Sequence, residues 1–279
     1  MSGKIRYLGD TTGNGPSGFW AGCPLWESNG GDLGIGYGFF DDFVGAPAGR
    51  VAAGAVNGTY GRWDTYRDIG VTISGVAGVG GIVEIAGNDA DNDEGHLSCS
   101  EGAFLISDTA ANSRKLWFEA RIKKASIADN ALSFFLGLAY DVGNDLSLAK
   151  ADALVNDTGV LGSFAGIGFS CVAAAGETVN FVYNQDADAT ITTLISGVHT
   201  LVADTYVKLG MLYDPDEVAA KQIKVFVDGA EQTTYGTSTI IATAAFPDAE
   251  ALAPCFLTKV GAATESKAQM DWIGAYQLR

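Results

Sequence analysis

Hydrophobic and polar residues alternate most clearly in the stretch from Lys115 to Asp141. In LWFEARIKK, apolar residues take every second position from Leu116 to Ile122, and Trp117 begins the set between them. This period of two predicts a β-strand with one buried face and one wet face. The run from Leu132 to Tyr140 is apolar on both faces apart from one serine, which is typical of a covered central strand. We expect the two runs to form a hairpin in a protein built of two packed sheets.

Similar short runs recur along residues 51–279, separated by turn residues. Gly81 to Ala86 is rich in β-branched residues, and Tyr206 to Tyr213 ends at an Asp-Pro-Asp break. Asp228 and Gly229 form a dipeptide that favours a tight hairpin turn. About a dozen strands at this spacing are typical of a β-sandwich. We therefore predict a single all-β domain spanning residues 51–279.

Residues 1–50 differ from the rest, because glycines and large aromatic side chains alternate there without any helical or strand period. Such a segment buries little surface by itself, so we interpret it as an extended arm held on a neighbouring subunit by its rings. A linker or an irregular N-terminal extension is the alternative interpretation. The predicted contacts of the arm with a neighbouring subunit are its large aromatic residues Trp20, Trp26, Phe39, Phe40 and Phe43.

Charge and composition exclude several classes of protein. The 279 residues carry a formal net charge of −16 and give a pI near 4.3. Nucleic acids and anionic membranes both require a cationic surface, so neither is an expected partner. No secretory signal and no apolar run of about 18 residues is visible, so we expect synthesis in a cytoplasm and no membrane span.

The four cysteines, Cys23, Cys99, Cys171 and Cys255, form no CxxC pair, which argues against a zinc site. Buried, reduced thiols are the preferred interpretation, although a disulfide pair stays open.

An acidic bend at 88–95 is the one candidate metal site. Asp89, Asp91 and Asp93 have part of the spacing of a calcium loop. Glu94 stands where that loop needs glycine, and Ser100 stands where it needs its last acid. We therefore favour a solvated turn, with calcium as the alternative and no other cofactor expected.

Catalytic patterns are poorly represented in the sequence. The E-x-D-x-x-E strand motif of sandwich glucanases is absent, and Glu84 and Glu119 are single acids on strands. We expect Glu119 to form an exposed ion pair across strands rather than to act in catalysis. His96 and His199 occur without a nucleophile elbow, and each is interpreted as a surface or turn residue. We predict that the protein is not an enzyme.

Several segments then point to a family. The run YVKLGMLYDPDEVAAKQIKVFVDGAEQ and the later MDWIGAY resemble the closing strands of a concanavalin A-like (laminin G-like) sandwich. The segments LWFEARIKK, FFLGLAYD and NDADNDEG resemble the version of that sandwich found in tailed-phage virion proteins. The resemblance covers about residues 60–279 and leaves out the arm. It implies a structural part of the particle, of the head decoration or cement type.

The resulting prediction is an all-β, concanavalin A-like jelly-roll sandwich with an extended N-terminal arm. Its expected function is to decorate and stabilise a phage head from the capsid exterior, as a homotrimer bound to the major capsid protein. The alternative is a carbohydrate-binding, lectin-like module or a virion receptor-binding protein. In that case Trp117, which we expect to be exposed, would stack on a sugar ring. A hydrolase ranks last.

Overall fold

The architecture is taken from a computed structural model. It describes residues 13–24, 35–44, 56–76, 81–88, 90–99, 102–140, 154–155, 160–161, 164–185, 191–248, 250–261 and 266–279. The strands are β1 (Gly36–Asp41), β2 (Val56–Tyr60), β3 (Trp63–Arg67), β4 (Thr72–Val76), β5 (Ile82–Ala86), β6 (Glu94–Cys99), β7 (Leu116–Lys124), β8 (Leu132–Tyr140), β9 (Leu154–Val155), β10 (Val160–Leu161), β11 (Ala165–Cys171), β12 (Thr178–Asn184), β13 (Thr192–Thr200), β14 (Val207–Tyr213), β15 (Ile223–Val227), β16 (Ala230–Glu231), β17 (Ala253–Val260) and β18 (Lys267–Leu278).

Helical structure is sparse among these residues. The described residues contain one turn of α-helix, α1 (Ser238–Ile241). They also contain three separate 3₁₀ turns, at Gly18–Gly22, Ala173–Ala175 and Ala219–Lys221. The side chain of Thr237 caps α1 by accepting a hydrogen bond from the backbone N–H of Ile240. None of the helices in the described part of the chain is long and apolar enough to cross a membrane.

The strands form two antiparallel sheets, which confirms the predicted all-β sandwich. The first sheet has the order β16-β15-β14-β7-β18-β5-β4, and β1 pairs with β18 beside β5. The second sheet has the order β13-β12-β11-β8-β17-β6-β3-β2. The expected hairpin is wrong, because β7 pairs with β14 and β18 while β8 pairs with β11 and β17. The connection between β7 and β8 therefore crosses from one layer to the other.

The core lies between the sheets and follows the predicted alternation. Phe118 and Ile122 of β7 face Leu136 and Phe169 of the second sheet within one large buried cluster. Burial of such side chains stabilises the fold by about 1.5–3 kcal/mol each. All four cysteines lie within the described residues, are buried and form no disulfide bond, which confirms the preferred interpretation of the thiols.

Part of the predicted arm belongs to the first sheet. Strand β1 pairs with the end of β18 in register from Gly36 with Leu278 to Asp41 with Ile273. The ring of Tyr276 lies so close beneath β1 that a Cβ atom at Gly36 would come within 2.1 Å of the Tyr276 hydroxyl oxygen. Glycine is therefore required at this position. The predicted domain boundary at residue 50 falls outside the described residues and stays a prediction.

Candidate functional site

A segment of the predicted arm, residues 13–24, covers the outer face of the first sheet, and we call it the strap. Trp20 is 1% exposed and packs with Trp117 and Tyr276 in a small apolar cluster on this face. Phe19 stacks on Phe226 with ring centroids 4.3 Å apart. The arm was expected to lie on a neighbouring subunit, and this part of it packs on its own sandwich. Trp20 has no free surface left for the contact predicted for it.

Glu119 anchors the strap and is not the exposed ion-pair partner that the sequence predicted. It is completely buried, and its Oε2 accepts hydrogen bonds from the Ser17 backbone N–H and the Trp20 Nε1–H, both at 2.9 Å. Burial raises the pKa of this carboxyl, against the opposing effect of the Ser17 and Trp20 hydrogen bonds and the Lys208 charge. Arg121, two positions further along β7, pairs with Asp271.

Trp117 is 2% exposed, so the prediction that its ring is open to a sugar is wrong. The alternation along β7 correctly assigned it to the outward face of the sheet. No local pattern in the sequence indicates that the strap covers that face. A short apolar and aromatic segment, such as the one around Phe19 and Trp20, can act as a third layer only through tertiary contacts that local patterning does not encode.

The other arm aromatics lie in different surroundings. Phe39 is half-buried and Phe43 is 3% exposed, and both pack against Trp63 of the core. Phe40 stacks on Trp272 and is 37% exposed, so it retains free surface. Trp26 lies outside the described residues, and its predicted contact stays a prediction.

The acidic bend divides into a surface part and a buried part. Asp91 is exposed and Asp93 is half-buried, whereas Asp89 lies outside the described residues. Within the described ranges, no group of three His, Cys, Asp or Glu side chains is arranged to hold a metal ion. Calcium binding that involves Asp89 stays a prediction.

Glu94, which we had placed in the solvated turn, begins β6 and is 1% exposed. Its carboxylate contacts the His96 Nε2 and the Lys259 Nζ, each at 3.0 Å. His96 is fully buried, so its interpretation as a surface or turn residue is wrong. Burial acts to raise the pKa of Glu94, but the hydrogen bond and charge of His96 and the charge of Lys259 outweigh it and hold that pKa below its usual value.

A polar cleft at one end of the sandwich is the best candidate for a binding site. Its volume is about 890 Å³. We call it the end cleft, and its walls are three loops that meet at the start of β7, the end of β14 and helix α1. They comprise Ser107, Asp108, Ala110, Ser113, Arg114, Tyr213, Pro215, Asp216, Gln222, Ser238, Thr239, Ile241, Ala242 and Thr243.

The walls of the end cleft carry fixed and unfixed polar groups. The Tyr213 hydroxyl donates to the Ser107 carbonyl oxygen at 2.7 Å and is held there. Asp108 is exposed, and its charge acts on Asp248. Burial and the nearby Asp108 charge raise the pKa of Asp248. Beside the cleft, Lys115 neutralises Asp214 in an ion pair with Nζ and Oδ2 2.5 Å apart.

A smaller hollow of about 230 Å³ adjoins the end cleft and shares Arg114 with it. We call it the arginine hollow, and it is lined by Tyr37, Leu105, Ala111, Asn112, Arg114, Gln277, Leu278 and Arg279. The side chain of Gln277 builds its wall. It donates to the carbonyl oxygens of Leu105 and Arg114, and it accepts from the Tyr37 hydroxyl and the Leu105 N–H.

Sequence reasoning missed both cavities. The lining residues come from segments more than one hundred positions apart, such as Arg114 and Thr239, and no single segment has a motif. The available signal was topological. The polar turn at 108–114 precedes β7, and the Asp-Pro-Asp break at 214–216 follows β14. Because β7 and β14 are antiparallel neighbours in the first sheet, the two turns lie at the same end of it.

Comparison with known proteins identifies the architecture. No protein-family profile and no curated protein matches the sequence. A solved structure of a protein of unknown function from Shewanella oneidensis MR-1 aligns with a TM-score of 0.53 and 12% identity, over 88% of this chain and 87% of its own. A peanut lectin structure with a 9mer peptide also aligns with a TM-score of 0.53 and 12% identity, over 88% of this chain and 98% of the lectin.

The chain has the concanavalin A-like fold. The fold suggested by the resemblance of its late segments is thereby confirmed. At 12% identity the likeness to the lectin concerns the fold alone. The assignment to tailed-phage virions stays a prediction.

Proposed function

We propose that this concanavalin A-like sandwich is a non-catalytic carbohydrate-binding module whose ligand lies in the end cleft. The observation that carries the proposal is the combination of size and lining. A cavity of about 890 Å³ presents hydroxyl, carboxylate, amide and guanidinium groups from three loops. Ligand pockets commonly have volumes of about 300–1,000 Å³. Each sugar hydroxyl both donates and accepts hydrogen bonds, so a mixed set of donors and acceptors suits a glycan.

Hydrogen bonding, rather than ring stacking on the first sheet, carries this recognition. The indole of Trp117 is buried beneath the strap, and the indole of Trp20, which belongs to the strap, packs in the same cluster. In the cleft, Asp108, Asp216 and Thr239 are exposed and able to reach a ligand. A module of this kind would bind a glycan chain through side chains at the loop end of the sandwich.

The sequence supports a binding role over glycoside hydrolysis, because the E-x-D-x-x-E strand motif of sandwich glucanases is absent from it.

A glycan array tests the proposal, followed by calorimetric titration of the best-binding glycan against two variants. Asp108→Ala removes an exposed hydrogen-bond acceptor from the cleft and should weaken binding about tenfold or more. Asp129→Ala removes an equally exposed carboxylate near the other end of β7 and should leave binding unchanged. An array without any glycan-specific signal, or equal losses in the two variants, would contradict the proposal.

A second candidate is the role of phage head decoration protein, bound as a homotrimer to the major capsid protein on the virion exterior. A specific surface feature favours it. Ile35 (45% exposed), Phe40 (37%) and Val44 (69%) are large hydrophobic residues within one ten-residue stretch around β1. Exposed large apolar side chains contribute to protein interaction sites where they form a patch. The acidic charge of −16 is compatible with a shell exterior and repels the packaged nucleic acid.

Immunogold labelling of virus particles from the source organism tests this second candidate. An antibody raised against the purified protein should label the heads of tailed particles. Particles that carry no label would rule out the decoration role. Sedimentation of the purified protein should show a trimer that Val44→Lys converts to monomer, since a charge at an exposed apolar contact opposes association.

A further inference from the structure

We infer that the arginine hollow is the subsite for an acidic group of the glycan, a carboxylate or a sulfate ester, which Arg114 and Arg279 would bind. This inference rests on the proposed function of the end cleft and specifies the class of glycan that it takes. The first ground is the rarity of positive charge. The chain has 17 Lys and Arg residues against 33 Asp and Glu, yet two arginines line this one small hollow.

The second ground is that Arg114 has no carboxylate partner among the described residues. Its Nη1 donates to the Ser113 carbonyl oxygen at 2.7 Å, and its charge is not neutralised by an ion pair there. By contrast, the adjacent Lys115 is paired with Asp214, and Arg121 of β7 is paired with Asp271. A guanidinium presents a planar fork of donors that matches the two oxygens of a carboxylate or sulfate.

The third ground is the rigidity of the hollow. Gln277 is 1% exposed, and its amide is hydrogen-bonded to Leu105, Arg114 and Tyr37. These bonds fix the backbone of Arg114 relative to β1 and β18. A site that is ordered before the ligand arrives loses less entropy on binding.

The charges of the two cavities also set the orientation of the ligand. Asp108 and Asp216 line the end cleft and repel an acidic group, whereas Arg114 stands where the cleft meets the hollow. A glycan would therefore place its neutral hydroxyl groups beside the aspartates. Its acidic substituent would point into the hollow.

Calorimetric titration with matched acidic and neutral oligosaccharides tests the inference. Tetragalacturonate is compared with its methyl ester to probe a carboxylate. Sulfated neocarratetraose is compared with neutral neoagarotetraose to probe a sulfate ester. We expect the acidic member of one pair to bind about tenfold or more tightly, because charge-assisted hydrogen bonds to Arg114 form only with that member. The preference should decline as salt is added.

Three variants separate this subsite from general electrostatics. Arg114→Gln should remove the preference, so that the acidic and neutral members of each pair bind with equal affinity. Arg114→Lys keeps the charge without the fork and should retain only part of the preference. Lys123→Gln removes the same charge near the other end of β7 and should change nothing.

The outcomes distinguish a failure of the acidic subsite from a failure of the proposed glycan binding. Equal affinity for both members of each pair, or a preference that survives Arg114→Gln, would overturn the acidic subsite while the proposed glycan binding stands. The absence of binding to these four oligosaccharides together with a blank glycan array would overturn the proposed function itself.

Discussion

The outer face of the first sheet and the end cleft are two surfaces of one sandwich, and they differ in exposure to solvent. The face carries the aromatic residues Trp117, Trp272 and Tyr276, the kind of surface on which sugars stack, and the strap closes it. The cleft lacks such an aromatic surface and stays open, lined by exposed polar side chains such as Asp108. The difference shows that residue type alone does not identify a binding surface. What covers the residue decides whether it serves stability or recognition.

The largest expected effect comes from the closed face. Trp20→Ala removes a ring that is 1% exposed and should cost about 3–5 kcal/mol of unfolding free energy, the usual cost of emptying a large core site. Thr239→Ala, at an exposed position of the cleft, should change the same quantity by less than about 0.5 kcal/mol. Urea unfolding measures both. Similar losses in the two variants would remove the distinction between closed and open regions.

A somewhat smaller effect is expected from the buried group of Glu94, His96 and Lys259 on the second sheet. Glu94→Gln leaves the Lys259 ammonium without its carboxylate and should cost about 3 kcal/mol at neutral pH. Because the folded-state pKa of Glu94 lies below its unfolded value of about 4.3, the pair stabilises the fold above that pH. This contribution is lost as pH falls through the folded-state pKa. Unfolding measured between neutral and acidic pH should therefore show a shallower decline for the variant than for the wild type, and parallel declines would refute the role of the pair.

The strap anchor should have an intermediate effect. Glu119→Leu removes the oxygen that accepts from the Ser17 N–H and the Trp20 Nε1–H, and these buried donors would lose their partner. The expected cost is about 1–3 kcal/mol of stability. Hydrogen exchange at the Ser17 amide should accelerate more than exchange in β8. Unchanged protection of the Ser17 amide would show that Glu119 does not hold the strap.

The smallest expected effect on stability belongs to the cleft carboxylate. Asp108→Asn relieves its repulsion with Asp248 and should change the unfolding free energy by less than about 0.5 kcal/mol. The pKa of Asp248 should fall towards its ordinary value, because a neighbouring negative charge has been removed. NMR titration of the Asp248 carboxyl carbon measures this shift. An Asp248 pKa that does not change would show that the two groups are not coupled.

The sequence was sufficient to predict the sandwich fold but insufficient to predict which of its surfaces are exposed. Alternation from Leu116 to Ile122 identified β7, and the Asp-Gly pair at 228–229 identified the turn between β15 and β16, because both signals are local. The period of two shows which side chains share a face but not what lies above that face. The pattern therefore predicted that Trp117 and Glu119 are exposed to solvent, although the strap, which is distant in sequence, covers both side chains.

The end cleft was beyond local patterning for a related reason. Its walls join when β7, β14 and β15 align in the first sheet, and only that alignment brings Arg114 close to Gln222. Glu94 shows the same dependence, because its acidic neighbours suggested a solvated turn while the partner that buries it, Lys259, lies on β17.

NMR mapping of the bound glycan shows directly whether the ligand lies in the end cleft or on the outer face of the first sheet. Backbone chemical shifts are followed while the best-binding glycan of the array is titrated into the labelled protein. If the end cleft binds the glycan, the shifted amides will cluster at residues 107–114, 213–222 and 238–243, and the Trp20 indole signal will stay in place. Shifts centred on the strap and the Trp20 indole, with the cleft unaffected, would contradict binding in the end cleft.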